Sequence, residues 1–447
     1  MKKLFGTDGI RAKAGEFPLD IETVRIFGFA LAQRLRRPDA ERPRVVTGRD
    51  TRKSGREIES AVHEGLSAAG AEPVSAGVIT TPGVAFLASS EGFDAGVVVS
   101  ASHNPFEDNG LKVFMPDGRK MGRESEEFIE SAILEREEVP ETGASFDDSG
   151  AGALQSRYLQ HFGREFGLLD LSDVFLIADC ANGSASHLVP LLFRRFGANV
   201  EVINAEPDGT NINRDCGSLH MEHLRLAVLE SGADLGVAFD GDADRALFID
   251  EQGALVDGDA VLWIMANYLR ENETLIGDRV VATVMSNVGL EIALRSIGVE
   301  LDRTDVGDKY VLEELLRTQA SVGGEQSGHI IFPNRSLVGD GMQTALFVLD
   351  AMTRAGKPLS GLTDGFEVYP QILLNVPVAE KVPFEELDYV MSEKERIEDE
   401  LDGKGRLLLR YSGTENLARV MIEGEVQKEI ETLAESLAAR IREEIGR

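Results

Sequence analysis

Residues 44–71 read "RVVTGRDTRKSGREIESAVHEGLSAAGA". A β-branched run, "RVVTG" (44–48), ends in a small polar loop, and the loop opens into an amphipathic stretch, "REIESAVHEGLSAAGA" (56–71). The same order returns at "VFLIADC" (174–180) before "ASHLVPLLFRRFGA" (185–198), and at "RVVATVM" (279–285) before "GLEIALRSIGVE" (289–300). Strand, short loop, helix and next strand form the βαβ pattern of parallel sheets covered by helices. Its return at ~100–130-residue intervals points to three copies of one module.

Three stretches interrupt the periodicity: 134–152 "LEREEVPETGASFDDSGAG", 250–258 "DEQGALVDG" and 355–365 "AGKPLSGLTDG". After the last come "VYPQILLNVPV", "GRLLLRYSG", "ARVMIEG" and two helical stretches, which read as a smaller α+β domain. The expected fold is α/β: three related mixed α/β domains at 1–151, 152–252 and 253–364, then the α+β domain at 365–447.

With 77 acidic against 46 basic residues, the formal net charge is −31. Such a surface repels DNA and anionic membranes, and no Lys/Arg run offsets it, so neither nucleic acid nor membrane is expected as a partner. A small anion is not excluded, because a Debye length of ~8 Å lets a few arginines in a cleft outweigh distant carboxylates. Cys180 and Cys216 show no metal-ligand spacing and suggest a reducing compartment. The N-terminus "MKKLFGTDGIR" has no apolar run behind its lysines, and no stretch approaches the ~18 apolar residues of a span. A cytoplasmic location is expected.

"GVAFDGDADRALFID" (236–250) spaces Asp240, Asp242 and Asp244 two apart. On an extended segment all three face one side, where they repel one another unless a hard cation sits among them. The alternatives are a solvated acidic turn and a calcium EF-hand loop. The EF-hand fails, because Arg245 stands where its turn needs glycine and the flanks are strand-like. Three carboxylates beside Arg245 suit Mg²⁺ together with a phosphate.

"VVVSASHNPFEDNGLKVF" (97–114) carries a strand into a loop with Ser100, Ser102 and His103, followed by Lys112. Ser102 lacks the G-x-S-x-G setting of a hydrolase, and on an extended chain His103 would diverge from it. A phosphoryl-accepting serine fits better than a nucleophile for hydrolysis, with capping of the strand as the plainer alternative. "GGEQSGHI" (323–330) sets Glu325, Ser327 and His329 at alternate positions, either a sugar-hydroxyl recognition face or a polar hairpin loop. "RYSGTENLAR" (410–419) combines Arg410, Ser412, Gly413, Thr414 and Arg419 as a phosphate nest or an ordinary turn. "FGTDGIR" (5–11), ending at Arg11, and "TGRDTRKSG" (47–55) add two Arg-Asp-Gly loops.

Taken in order, "GTDGIR", "SASHNP", "DGDADR", "GEQSGH" and "RYSGTE" resemble the signature loops of the α-D-phosphohexomutases, across essentially the whole chain. "VGDKYV" (306–311), "GEQSGH" and "PDGTNIN…CGSLH" resemble the bacterial amino-sugar branch more than the glucose and mannose branch. The resemblance implies a last domain like the TATA-binding-protein fold and an active site where four domains meet. It implies that Ser102 becomes a phosphoserine and that Asp240, Asp242 and Asp244 hold one Mg²⁺ with a phosphoserine oxygen. Arg245 and Lys112 would lie by the moving phosphoryl group, with Lys112 or His329 as the acid/base group, and Arg11 and His103 complete the catalytic set. Glu325 and Ser327 would grip sugar hydroxyls, and Arg410, Ser412, Gly413, Thr414 and Arg419 the non-reacting phosphate.

The implied reaction interconverts glucosamine 6-phosphate and glucosamine 1-phosphate through a 1,6-bisphosphate, with the same chemistry on glucose or mannose phosphates as the alternative. A sugar 1,6-bisphosphate would act as activator. Ser102 would first be charged by that bisphosphate, by a kinase or by autophosphorylation, in a monomer or homodimer. The family usually has proline where this chain has Tyr411 and Asn416, which would leave its phosphate loop less stiff.

Overall fold

The computed structural model of the chain describes residues 3–6, 8–37, 42–143, 145–412 and 415–446. In the first sheet Arg44–Arg49 runs parallel between Glu72–Val78 and Ala95–Val99, and Asp108–Phe114 returns antiparallel beside Ala95–Val99. The hairpin of Phe5–Gly6 and Gly9–Lys13 extends that edge. In the second sheet Phe175–Asp179 runs parallel between Asn199–Ile203 and Leu235–Phe239, and Ala246–Asp250 returns antiparallel. In the third, Arg279–Thr283 lies between Glu300–Thr304 and Gly323–Gly324, and Ile330–Ile331 returns antiparallel.

Numbered within each module, the strand order is therefore 2-1-3-4 three times over, with the fourth strand reversed. The repetition expected from the sequence is present as topology. The inner strands explain why the periodicity was readable: every residue of Ala95–Val99 and Leu235–Phe239 is buried, as a strand covered by helices on both faces requires. Close helix packing has its own signature. A Cβ on Gly65 would stand 2.1 Å from the Arg25 carbonyl oxygen, so the helices Ile21–Leu35 and Gly55–Ala68 can touch only because position 65 is glycine.

One structural consequence matters for function. The connection from third to fourth strand falls at the same place in each module, at residues 100–107, 240–245 and 325–329. These are the serine loop, the aspartate loop and the "GEQSGH" loop. The break at 250–258 is the hairpin that adds Leu255–Val256 to the edge of the second sheet.

By compactness the chain divides into Met1–Val284 with Asp302–Asp364, and Met285–Leu301 with Gly365–Arg447. In the second unit an antiparallel sheet runs in the order Gln371–Pro377, Leu417–Glu423, Arg406–Tyr411. The helices Asp388–Leu401 and Gln427–Ile445 pack on it through Val390, Ile397, Leu437 and Ile441, all fully buried. This is the expected smaller α+β domain. Among the described residues, no helix is long and apolar enough to cross a membrane. Both cysteines are free and buried.

Candidate active site

Ser102 stands in its loop at φ 52°. A residue with a side chain holds this left-handed conformation at a cost of about 1–3 kcal/mol, so its surroundings must impose it. Gly241 of the aspartate loop packs against it: a Cβ there would lie 2.6 Å from the Ser102 carbonyl oxygen. The outcome is that Ser102 Oγ donates to Asp240 Oδ2 at 2.6 Å, across 138 residues of sequence. An extended chain would turn His103 away; the left-handed turn instead places His103 Nδ1 3.3 Å from Ser102 Oγ. Burial, then the charges of Arg245 and Arg11, hold the His103 imidazole below its ordinary pKa, so it is neutral at pH 7.

The aspartates do converge, though not as an extended segment. Residues 240–245 form the hairpin loop between Leu235–Phe239 and Ala246–Asp250, with Ala243 in the left-handed region at φ 55°. The turn, rather than strand alternation, brings one oxygen of each of Asp240, Asp242 and Asp244 within 4.8 Å of the others. All three residues are buried. Burial and the neighbouring Asp244 and Asp242 charges push the Asp240 carboxyl well above the usual range. Asp242 Oδ1 and Asp244 Oδ1 are buried without a hydrogen-bond partner. Orphaned hard oxygens in so tight a carboxylate cluster fit a divalent cation such as Mg²⁺, which satisfies them and removes the repulsion.

Around this cluster runs a chain of charge. Lys112 Nζ lies 3.0 Å from Asp242 Oδ2 and 3.7 Å from Asp244 Oδ2. Burial alone would lower the Lys112 pKa, but Asp242, Asp8 and Asp244 outweigh it and hold the ammonium well above its ordinary range. Asp8 in turn pairs with Arg11 and with Lys120 Nζ, at 2.6 Å for the latter, and Lys120 reaches Asp308 Oδ2 at 2.5 Å. Thr81 Oγ1 donates to Asp242 Oδ2 at 2.5 Å from the first turn of a helix that Thr80 caps. Arg11 Nε and Arg245 Nε are buried without a hydrogen-bond partner, Arg245 Nε standing 3.9 Å from Asp244 Oδ1, so both guanidinium donors are left for an anion.

The "GEQSGH" loop is a hairpin turn, so Glu325, Ser327 and His329 do not share an extended face. Glu325 and His329 line a cavity of about 460 Å³ with Ser102, His103, Arg11 and Arg245, whereas Ser327 is not among its lining residues. Glu325 Oε1 accepts from the Gly307 N–H at 3.1 Å. The Gly339 N–H donates to His329 Nε2 at 3.2 Å, and Nδ1 faces Asp244 Oδ2 at 3.7 Å. Burial opposes charge on this ring, yet Asp244 pulls its pKa up. The backbone donor at Nε2 decides the tautomer: the ring carries its proton on Nδ1, toward Asp244.

In the C-terminal unit, Arg410 and Arg419 are direct cross-strand partners. Arg419 Nη2 lies 3.5 Å from Ser412 Oγ, and Arg419 Nε is buried without a partner. Gly413 and Thr414 lie outside the described residues. Tyr411, where proline was expected, lies flat on Phe384, with ring centroids 4.2 Å apart and planes at 7°, and donates its hydroxyl to the Val382 carbonyl. The strand end entering this loop is braced by a side chain where a pyrrolidine ring would otherwise do it.

Asp8, Lys120, Asp308, Thr81 and Arg52 escaped the sequence reading as site residues. "GTDG" and "TGRDTR" displayed Asp8 and Arg52, but nothing in their spacing names a partner 100 or more residues away for Asp8, or the serine loop for Arg52.

Four stretches match models of phosphoglucomutase/phosphomannomutase domains: residues 2–140 the alpha/beta/alpha domain I, 156–253 domain II, 257–369 domain III and 373–440 the C-terminal domain. The chain is 47% identical over 445 residues to the phosphoglucosamine mutase of Solibacter usitatus, covering 100% of this chain and 99% of that protein. It is 44% identical over 453 residues to the phosphoglucosamine mutase of Geobacter sp. strain M21, covering 100% and 99%. Among solved structures, a phosphoglucomutase/phosphomannomutase family protein from Burkholderia thailandensis superposes with a TM-score of 0.80 at 24% identity, covering 99% of this chain and 97% of that one. An N-acetylphosphoglucosamine mutase of Aspergillus fumigatus, in complex with GlcNAc-6P and magnesium, has a TM-score of 0.64 at 20% identity, covering 98% and 96%. At those identities the structures speak for the fold.

Proposed function

Because the chain belongs to the phosphoglucomutase/phosphomannomutase family, we propose from its site that Ser102 is the phosphoryl carrier of a mutase acting on glucosamine phosphate. The enzyme is an isomerase that interconverts glucosamine 6-phosphate and glucosamine 1-phosphate through a phosphoserine and a 1,6-bisphosphate. The observation that carries the reading is the 2.6 Å contact of Ser102 Oγ with Asp240 of the aspartate triplet, Ser102 itself lining the cavity together with Arg11 and Arg245.

The phosphoryl group leaves phospho-Ser102 Oγ for the sugar O1, which gives up its proton. After the bisphosphate turns round, Ser102 Oγ takes the group on O6 and O6 recovers a proton. Asp240, Asp242 and Asp244 would hold Mg²⁺, which supplies charge neutralisation at the phosphoryl oxygens. Arg245 and Arg11 present Nε–H donors that make no hydrogen bond within the protein to the same oxygens. Lys112, clamped by carboxylates, stays protonated at neutral pH and acts as a fixed positive charge or proton donor, not as a base. Neutral His103, beside Oγ, is the group able to accept a proton there. His329 orients through Asp244, Glu325 takes sugar hydroxyls, and Arg410, Ser412 and Arg419 take a phosphate. A sugar 1,6-bisphosphate, a kinase or autophosphorylation charges Ser102 initially, in the cytoplasm.

The test is a substrate panel of glucosamine, glucose and mannose 6-phosphates with Mg²⁺ and a trace of bisphosphate. A kcat/KM at least tenfold higher for the amino sugar, ~1.4 kcal/mol in the transition state, is expected. Equal or better rates on the neutral sugars would overturn the substrate assignment and leave the chemistry.

A further inference from the structure

Arg52 is fully buried, two residues from its ion-pair partner Asp50, and makes no contact with the cavity. Its guanidinium is committed to backbone. Nη2 donates to the Ser102 carbonyl at 2.8 Å and the Asn104 carbonyl at 2.9 Å, and Nη1 donates to the Pro105 carbonyl at 2.5 Å. Nε donates to Asp50 Oδ2 at 2.9 Å. The same Asp50 oxygen accepts from Ser100 Oγ at 2.6 Å, and Ser100 Oγ accepts the Ser102 N–H at 3.0 Å. From the other side Asn213 Nδ2 reaches the Ser102 and Asn104 carbonyls at 2.9 and 3.1 Å. Both the N–H and the C=O of a residue at φ 52° are thus held, by a relay that begins and ends on Asp50 and Arg52.

We propose that Arg52 is a positioning residue for the nucleophile: its fork, anchored by Asp50, sets the left-handed turn that aims Ser102 Oγ at Asp240. Three carbonyls bound by one planar group fix a loop in a way that a point charge cannot, because each N–H direction is set by the guanidinium plane. Without the fork, Ser102 relaxes toward the β or α region, and Oγ swings away from the aspartates while the cavity walls stay in place. A nucleophile displaced by about 1 Å loses on the order of 100-fold in rate. The inference rests on Ser102 being the phosphoryl carrier.

The experiment compares R52K, R52A, N213A and S102A as full-length protein with Mg²⁺, glucosamine 6-phosphate and glucose 1,6-bisphosphate, measuring kcat, KM, thermal midpoint and 1,6-bisphosphate-dependent labelling of Ser102. R52K keeps a cation for Asp50 and loses the fork. Its kcat is expected to fall at least 100-fold with KM within threefold and with slower labelling of Ser102. N213A, which shares two of the same carbonyls, falls by a smaller factor in the same parameter. Free guanidinium ion should restore part of the kcat of R52A, a response that lost packing alone would not give. Wild-type kcat in R52K, or a loss that follows the thermal midpoint and is equal in kcat and KM, overturns the role of Arg52. Turnover in S102A overturns the phosphoserine reading instead, so the two failures are told apart.

Discussion

Lys112 Nζ lies 3.0 Å from Asp8 Oδ2 and 3.0 Å from Asp242 Oδ2, joining the first loop of the chain to the aspartate hairpin through one buried ammonium. Removing it leaves buried Asp242 without its cation, while Asp8 keeps Arg11 and Lys120, and an uncompensated buried carboxylate costs about 3–5 kcal/mol. Lys112→Met is expected to lower stability by that amount in denaturant titration and to cut kcat at least ~100-fold. It should at the same time tighten Mg²⁺ binding in calorimetry, since a competing positive charge has left the site. Weaker Mg²⁺ binding in this variant would contradict the electrostatic account.

A proton and a metal compete for Asp240. Burial and its two acidic neighbours push its carboxyl well above the usual range, so binding a metal, which needs the carboxylate, opposes binding a proton. Mg²⁺ affinity should rise with pH, and binding should release protons, seen as a dependence of the calorimetric heat on buffer ionisation enthalpy. Asp244→Asn should weaken Mg²⁺ binding by at least ~10-fold. An affinity flat between pH 5 and 8 would go against the three-carboxylate site.

His63 gives the first domain an acid-sensitive point. Its ring is buried against Phe146, with Nε2 2.7 Å from Thr47 Oγ1, which donates on to buried Glu59. Burial, then the Arg49 charge, lowers its pKa from 6.5 to about 4. The unfolded chain binds a proton that the folded one refuses between those values. Stability from this site is therefore full above pH 6.5 and is lost as pH falls through 4, by about 3 kcal/mol in all. In His63→Gln the unfolding free energy should change less steeply over that window; an unchanged slope would show that other groups set it.

Tyr411 is expected to matter for substrate affinity more than for chemistry. Tyr411→Ala removes the stack on Phe384 and the bond to Val382, and should raise KM for glucosamine 6-phosphate roughly tenfold with kcat within threefold. Tyr411→Phe keeps the ring and loses only the hydroxyl, for about 1 kcal/mol of stability. A fall in kcat with KM unchanged would argue against Tyr411 as a brace.

Local regularities made the modules readable before any coordinates. A buried parallel strand must be apolar throughout and a covering helix amphipathic, so "RVVTG", "VFLIADC" and "RVVATVM" announced their own type, and the strands Arg44–Arg49, Phe175–Asp179 and Arg279–Thr283 followed. Asp240, Asp242 and Asp244 were legible as a cluster because neighbours in sequence cannot be far apart in space. The turn that gathers them, with Ala243 left-handed, was not legible, since only the antiparallel pairing of the flanking strands demands it.

What the sequence determined by itself was the set of local units: three βαβ modules, a smaller α+β domain, and which short loops carry serine, aspartates and the "GEQSGH" residues. What only tertiary structure decided was their meeting. Ser102 and Asp240 are 138 residues apart, Lys112 and Asp242 are 130 apart, and Lys120 and Asp308 are 188 apart. Contacts at such separations depend on how whole sheets present their third-to-fourth strand loops. No propensity or periodicity encodes that, because those act over a few residues, whereas a charge pair forms wherever packing happens to bury its two ends together.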